Sequence, residues 1–191
     1  ELNMGGTAVG NCINASDAYI KELYPELVKV TKLTVKPAQN FMSQTGSQGD
    51  FVTLSHAVTA MAMDASKIAN DLRLLASGPN GGLNEIMLPE MQKGSSIMPG
   101  KVNPVMPEMV NQMYFLVSGY NLRIEHAAQA AQLELGVMGP SIADGLLGSL
   151  AICTQVLLKF SVACVRGIKA NKEMCARNLE HSTAFATLLV P

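Results

Sequence analysis

The eleven residues GSSIMPGKVNP, from Gly94 to Pro104, lie between two segments whose composition predicts long helices. They contain two glycines, two prolines and two serines, a composition that excludes both a regular helix and a regular strand. We therefore expect a loop, called the GSS loop below. Pro99 and Pro104 should stiffen it because each proline ring fixes the backbone angle φ.

The side chains of the GSS loop form a set that suits a small dicarboxylate. Ser95 and Ser96 supply hydroxyl groups, Lys101 supplies a positive charge, and Asn103 supplies both a donor and an acceptor. The lysine can hold one carboxylate while hydroxyl and backbone N–H groups meet the other. The alternative interpretation is a plain connector, because Gly/Ser/Pro-rich loops often have no further role.

The composition of the chain predicts an all-α fold. Hydrophobic residues make up 48% of the sequence, with 12 Met, no Trp and only 5% aromatic residues. The apolar residues are mainly Ala, Leu, Val and Met, of which Ala, Leu and Met are strong helix formers. A net charge of −1 leaves no basic surface for nucleic acid or an anionic membrane. The longest uncharged run near the C-terminus, residues 145–158, is shorter than the roughly 20 apolar residues of a membrane span.

The four cysteines show no CxxC spacing and predict free thiols rather than a disulfide framework. Free thiols are typical of a reducing cytoplasm, where we expect the protein to reside. The sequence begins at Glu1 rather than at methionine, and we expect it to be part of a longer protein. The cysteines are Cys12, Cys153, Cys164 and Cys175.

Helical patterns cover most of the chain. Ser16 is a predicted N-cap for a first helix to about residue 33, which Pro25 should bend or divide. Asn171 is a predicted N-cap for a short helix that leads into a second one near the C-terminus. Three long helices are predicted over residues 50–76, 104–131 and 141–167, with connectors over residues 34–49, 77–82 and 132–140.

The last of the long helices carries two apolar stripes. The first stripe repeats at spacings of four and three, and the second lies on another face. A helix that is apolar on two faces needs more than one neighbour, and we expect further copies of the chain among these neighbours. The first stripe is Ile142, Leu146, Leu150, Cys153, Leu157, Phe160 and Cys164; the second is Leu147, Ala151, Leu158, Val162 and Val165.

The GSS loop resembles the sequence motif of the fumarase/aspartase superfamily. Its flanks GLNEIMLPE (82–90) and PVMPEMVNQ (104–112) resemble the aspartate ammonia-lyase branch more than the fumarase branch. The resemblance implies a bundle of long helices that assembles from four subunits into a homotetramer. Residues 1–191 would then be the central helical domain with its catalytic loop at 94–104, without the N-terminal domain and the small C-terminal domain of the family.

The resemblance also implies a reaction and its groups. The reaction is the reversible elimination of ammonia from L-aspartate to give fumarate through an aci-carboxylate intermediate, with neither cofactor nor metal. Ser95 corresponds to the base that removes the proton, and Glu108 to the glutamate that orients a histidine of another subunit. The residues that would bind the substrate are Ser96, Lys101, Val102 and Asn103.

No histidine of this sequence corresponds to the histidine that the family uses, so we expect the isolated chain to be inactive. His56, His126 and His181 are expected to be structural, which disfavours Ser/His/Asp hydrolysis. Two alternatives stay open. One is fumarate hydratase, which releases water from malate; the other, for this chain alone, is a helical assembly module without catalysis.

Overall fold

The computed structural model describes residues 1–92, 94, 95, 97, 98, 100–183 and 186. Helices dominate it, which confirms the predicted all-α class. The helices are α1 (Asp17–Thr31), α2 (Phe41–Gly46), α3 (Gly49–Leu75), α4 (Val105–Gln129), α5 (Gly139–Ala163) and α6 (Lys172–Glu180). Two strands of two residues each, β1 (Ile86–Met87) and β2 (Lys169–Ala170), pair antiparallel, and a 3-10 turn spans Val165–Gly167.

Two of the shorter helices, α1 and α6, start at the predicted N-cap residues. The hydroxyl oxygen of Ser16 accepts a hydrogen bond from the N–H of Tyr19 at 3.2 Å, and helix α1 starts directly after it. Asn171 caps α6 in the same way through the N–H of Met174 at 3.4 Å. Helix α1 runs through Pro25 as one element, so the proline does not divide it. The second helix predicted after α6 lies largely outside the described residues.

The connector predicted over residues 34–49 is wrong in part, because it contains helix α2. The side-chain oxygen of Asn40 accepts a hydrogen bond from the N–H of Ser43 at 3.0 Å and starts this helix. Gly46 and Ser47 then end it after six residues. An asparagine N-cap satisfies one of the free N–H groups of the first turn, which is enough to support a short helix in a glycine-containing segment.

The chain forms two compact units, and the prediction of one domain over residues 1–191 stays a prediction. The first unit comprises Glu1–Ala57 and Gly119–Gly148. Its buried core is formed by Ile124, Ile142 and Leu146, with Val52, Ala127 and Ala128 packed against them. Removing these side chains from water stabilises the unit by about 25 cal/mol for each Å² of apolar surface.

The second unit comprises Val58–Ser118 and Ser149–Pro191. Parts of α3, α4 and α5 face one another in it around the larger of the two cores. The sheet lies beside this core, and the N–H of Asn171 donates to the carbonyl of Glu85 at 2.8 Å directly before the β1–β2 pairs. The core consists of Val58, Ala62, Ala69, Met106, Val110, Met113, Val117, Cys153, Val156, Phe160 and Cys164.

The two apolar stripes of α5 differ in burial. Most of the first stripe is buried, including Cys153 and Phe160, whereas Leu147, Leu158 and Val162 of the second stripe are exposed. By length and composition alone, the segment Gly139–Gly167 would suffice to cross a membrane. The homotetramer and the absence of a membrane partner both stay predictions.

Candidate active site

The GSS loop leads from the β1 segment into helix α4, and its described residues are irregular, as predicted. Gly94 packs directly against the backbone of Lys101, and a Cβ atom at position 94 would clash with the carbonyl oxygen of Lys101. Only glycine fits this close approach. The N–H of Lys101 also donates to the carbonyl of Met98 at 3.2 Å, which closes a turn in the middle of the loop.

The hydroxyl group of Ser95 accepts hydrogen bonds from the backbone. Its Oγ lies 3.1 Å from the backbone nitrogen of Ile97 and 3.4 Å from that of Met98. Two N–H dipoles that point at one oxygen stabilise negative charge on it. Ser95 is half-buried, and these two N–H groups supply one feature that stabilises a deprotonated serine. Ser96, the other serine of the pair, lies outside the described residues.

The remaining loop residues from the predicted set lie close together along the chain. Lys101 and Val102 are exposed, and Asn103 is half-buried. Within the described part of the chain, Lys101 forms no ion pair, so its charge is available to an anion. The carbonyl of Asn103 accepts a hydrogen bond from the N–H of Val105 at 2.9 Å at the start of α4.

Glu108 lies in the first turn of α4, where its negative charge is favourable for the helix dipole. It is half-buried and lines a cavity of about 270 Å³ between α3 and α4. The N–H of Glu108 donates to the carbonyl of Pro104, the last residue of the GSS loop, at 3.1 Å. The described lining of this cavity does not include Ser95 or Lys101. The lining consists of Asn70, Arg73, Glu108, Asn111, Gln112 and Phe115.

Two residues near the GSS loop, Arg73 and the buried Asn111, were not predicted from the sequence. Arg73 donates through Nη1 to Oδ1 of Asn111 at 3.2 Å and to Oδ1 of Asn70 at 3.3 Å. It borders the cavity beside Glu108 and also a second cavity, of about 420 Å³, that Val102 and Pro104 line from the GSS loop. The spacing of Asn70 and Arg73, three residues apart on one helix, was the available signal.

The histidines make contacts away from the GSS loop. Nε2 of His56 lies 2.7 Å from Oε1 of Glu125, and Nδ1 of His181 lies 2.7 Å from the carbonyl oxygen of Arg177. His126 is exposed. Among the described residues, no cluster of His, Cys, Asp and Glu is arranged to hold a metal ion.

Two of the four cysteines are buried in the second unit, as expected of structural thiols. Cys153 and Cys164 both lie on α5 or directly after it, and burial raises the pKa of each thiol. A raised pKa leaves less of the reactive thiolate. All four cysteines are free.

Comparison with known proteins gives consistent matches over the whole chain. The sequence profile of a family described as "Lyase" matches residues 1–119. Curated proteins named aspartate ammonia-lyase from a Bacillus species, Pseudomonas aeruginosa and Escherichia coli are 44%, 45% and 44% identical to it over all 191 residues. These 191 residues cover 41%, 40% and 40% of those proteins, so the chain spans about two fifths of their length.

Solved structures agree with the sequence matches. A cobalt-bound structure titled fumarate lyase:delta crystallin, from Brucella melitensis, superposes with a TM-score of 0.96 at 46% identity. A class II fumarase from Schistosoma mansoni superposes with a TM-score of 0.95 at 34% identity. Both alignments cover 100% of this chain, and 42% and 43% of the respective structures.

Proposed function

Because the chain belongs to the fumarase/aspartase superfamily of lyases, we propose that its parent protein is an aspartate ammonia-lyase. This enzyme reversibly splits L-aspartate into fumarate and ammonia. The observation that carries the proposal is the pair of backbone N–H groups at the Ser95 hydroxyl, since a serine can act as a base only where its oxyanion is stabilised. The names of the similar curated proteins support the choice of aspartate.

The proposed reaction begins with a proton transfer to Ser95. Its Oγ removes a proton from Cβ of L-aspartate, and the electron pair of the broken C–H bond moves into the adjacent carboxylate to form an aci-carboxylate. That electron pair then returns to form the carbon–carbon double bond while the C–N bond breaks, and the amino group, which is protonated in the bound substrate, leaves as neutral ammonia. The N–H groups of Ile97 and Met98 stabilise Ser95 while it is deprotonated.

The other residues of the GSS loop bind the substrate in this proposal. The unpaired ammonium group of Lys101 attracts one carboxylate, with Val102 and Asn103 beside it on the same short segment. Ser96 completes the substrate-binding set. Glu108 acts as a positioning residue, because it orients a histidine that another subunit supplies. The cavity that Glu108 lines is open to receive such a side chain.

The complete site needs parts that this chain does not contain. We propose that a cytoplasmic homotetramer shares each active site between subunits and works without a cofactor or metal. Nucleic acid and membranes are not partners in this proposal. The isolated 191 residues would then be an inactive helical module.

Fumarate hydratase is the second candidate, and the superposition on a class II fumarase favours it. The two reactions share the removal of a proton beside a carboxylate and differ in the leaving group. The flanks GLNEI and PVMPE support the ammonia-lyase, as they do not follow the fumarase pattern.

The test is to assay the purified full-length protein with L-aspartate and with L-malate and to follow fumarate by its ultraviolet absorbance. Fumarate from aspartate supports the proposal, and fumarate from malate alone shows a hydratase. Replacing Ser95→Ala should lower kcat by at least about a hundredfold and leave the tetramer intact.

Ser47→Ala is a matched control for this variant. The Ser47 hydroxyl accepts a hydrogen bond from the N–H of Gly49 at 3.3 Å, in the same two-residue turn that Ser95 makes with Ile97. Removal of the turn contact alone should leave kcat unchanged. If Ser95→Ala retains full activity, another group is the base.

A further inference from the structure

The described lining of the cavity beside the GSS loop combines one cation with neutral polar and apolar residues. The cavity has a volume of about 420 Å³ and lies among the end of α3, strand β1 and the second half of the GSS loop. We call it the Arg73 cavity. Its polar lining includes Arg73, Ser77 and Asn84, and its apolar lining includes Ile86, Leu88 and Val102.

The guanidinium group of Arg73 is held in place by neutral groups. Nη1 donates to the side-chain oxygens of Asn70 and Asn111, which orient it without cancelling its charge. Asn111 is itself fixed, since its Nδ2 donates to Ser66 Oγ at 2.8 Å and to the Ser66 carbonyl at 3.1 Å. Arg73 is an exposed residue, and its guanidinium group is therefore oriented from one side by Asn111, which buried hydrogen bonds to Ser66 hold in place.

The charge of Arg73 has no counter-charge in the part of the chain that the structure describes. None of the ion pairs among the described residues includes Arg73. Glu108 lines the neighbouring cavity but is not within ion-pair distance of Arg73. A positioned guanidinium that borders a cavity and lacks a carboxylate partner is a strong binder of carboxylates. This arrangement identifies the class of ligand as an anion.

We propose that the Arg73 cavity binds a small aliphatic monocarboxylate. The carboxylate group pairs with Arg73, where Ser77 and Asn84 provide further polar groups, and the aliphatic part packs against Ile86, Leu88 and Val102. A dicarboxylate fits less well, because Arg73 is the only cation in the described lining of the cavity and a second carboxylate there would have no counter-charge. The inference concerns binding and does not depend on which elimination the protein catalyses.

The test is a calorimetric titration of the full-length protein with butanoate. We expect saturable binding with a dissociation constant on the order of 1 mM, as for a single charge-assisted contact with a small apolar group. Arg73→Gln, which keeps an amide donor beside Asn111 but removes the charge, should weaken binding at least about tenfold. Arg73→Lys should restore part of the affinity.

A matched control separates this site from other cations. Arg166→Gln removes an exposed arginine of the 3-10 turn in the same unit and should bind butanoate as the parent protein does. Succinate should bind at least about tenfold more weakly than butanoate at the site that Arg73→Gln disrupts.

Several results would overturn the proposal. They are an absence of saturable binding, equal binding by the parent protein and Arg73→Gln, and equal binding of succinate with the same dependence on Arg73. If circular dichroism shows that Arg73→Gln does not fold, the variant Ala76→Leu is titrated instead. That variant narrows the cavity from the end of α3 without touching Arg73, and unchanged affinity in it would also contradict the proposal. No readout requires turnover, so failure here is distinguishable from failure of the proposed reaction.

Discussion

Asn111 on α4 is bonded twice to Ser66 on α3, through the Ser66 hydroxyl at 2.8 Å and the Ser66 carbonyl at 3.1 Å. Both side chains are buried, with exposed fractions of 6% and 5%. Buried polar groups stabilise a fold only when they are paired, and these two pair across neighbouring helices within the second unit. The contact therefore fixes the register of α3 against α4 next to the cavity that Glu108 lines.

Replacing Asn111→Ala should destabilise the protein by about 2–3 kcal/mol. The substitution removes two buried hydrogen bonds and leaves the Ser66 hydroxyl without this partner. Equilibrium urea unfolding of the full-length protein measures the loss. Asn70→Ala is the control, because Asn70 is exposed, and it should change stability by less than about 0.5 kcal/mol. Similar values for the two variants would contradict the role of Asn111.

Replacing Gly94→Ala should reduce kcat/KM at least about tenfold while the helices remain folded. The added methyl group would clash with the carbonyl oxygen of Lys101, and the loop must open to relieve it. Steady-state kinetics together with circular dichroism separate the loop effect from unfolding. Gly81→Ala is the control, since a Cβ there meets no atom within 4 Å. Unchanged kinetics in Gly94→Ala would show that this close approach is not needed for activity.

Replacing Lys101→Met should raise the KM for the dicarboxylate by about 10- to 100-fold. The substitution keeps the length of the side chain and removes the charge that meets the carboxylate. The measurement is initial rate against substrate concentration, at two ionic strengths. Lys169→Met, an exposed lysine of β2, serves as the control and should leave KM unchanged. An unaltered KM in Lys101→Met would show that another cation binds the substrate carboxylate.

The Glu125 carboxylate should contribute stability to the first unit that is lost at acidic pH. A hydrogen bond from His56, with a second from Asn121, holds the pKa of Glu125 below its usual value. A lowered pKa in the folded chain means that the contribution is present above about pH 4.5 and is lost as pH falls through the lower folded value.

The measurement for this pair is the urea midpoint of the parent protein and of Glu125→Gln from about pH 3 to 6. The parent protein should be the more stable at pH 6, and the difference should shrink towards pH 3. Glu90→Gln, at an exposed glutamate with no ion pair among the described residues, should give a difference that does not vary in this way. A pH-independent difference for Glu125→Gln would exclude the linkage.

The elements that the sequence predicted well have local causes. The caps at Ser16 and Asn171 depend on a side chain and a backbone N–H group three residues apart. A short stretch of sequence is therefore enough to predict where each helix starts. The GSS loop was predictable for the same reason, because its prolines and glycines disfavour a regular helix or strand wherever they occur. The two N–H groups at Ser95 follow from that local geometry.

The features that the sequence did not predict depend on distant contacts. Strands β1 and β2 have two residues each, too few for a periodic pattern, and each exists only because the other is beside it. Arg73 resembled any charge on an exposed helix face until the position of Asn111 was known. Helix α2 was missed although Asn40 gave a usable capping signal.

The pairing of β1 with β2 also sets an order of events during biosynthesis. The two residues of β1, which precede the GSS loop, pair with Lys169 and Ala170, and these leave the ribosome much later. Helices α3 and α4 form from neighbouring residues as they emerge, whereas a pairing between distant residues must wait. The β1–β2 pairing next to the GSS loop therefore cannot form until Lys169 and Ala170 have been translated, after the whole of α3 and α4.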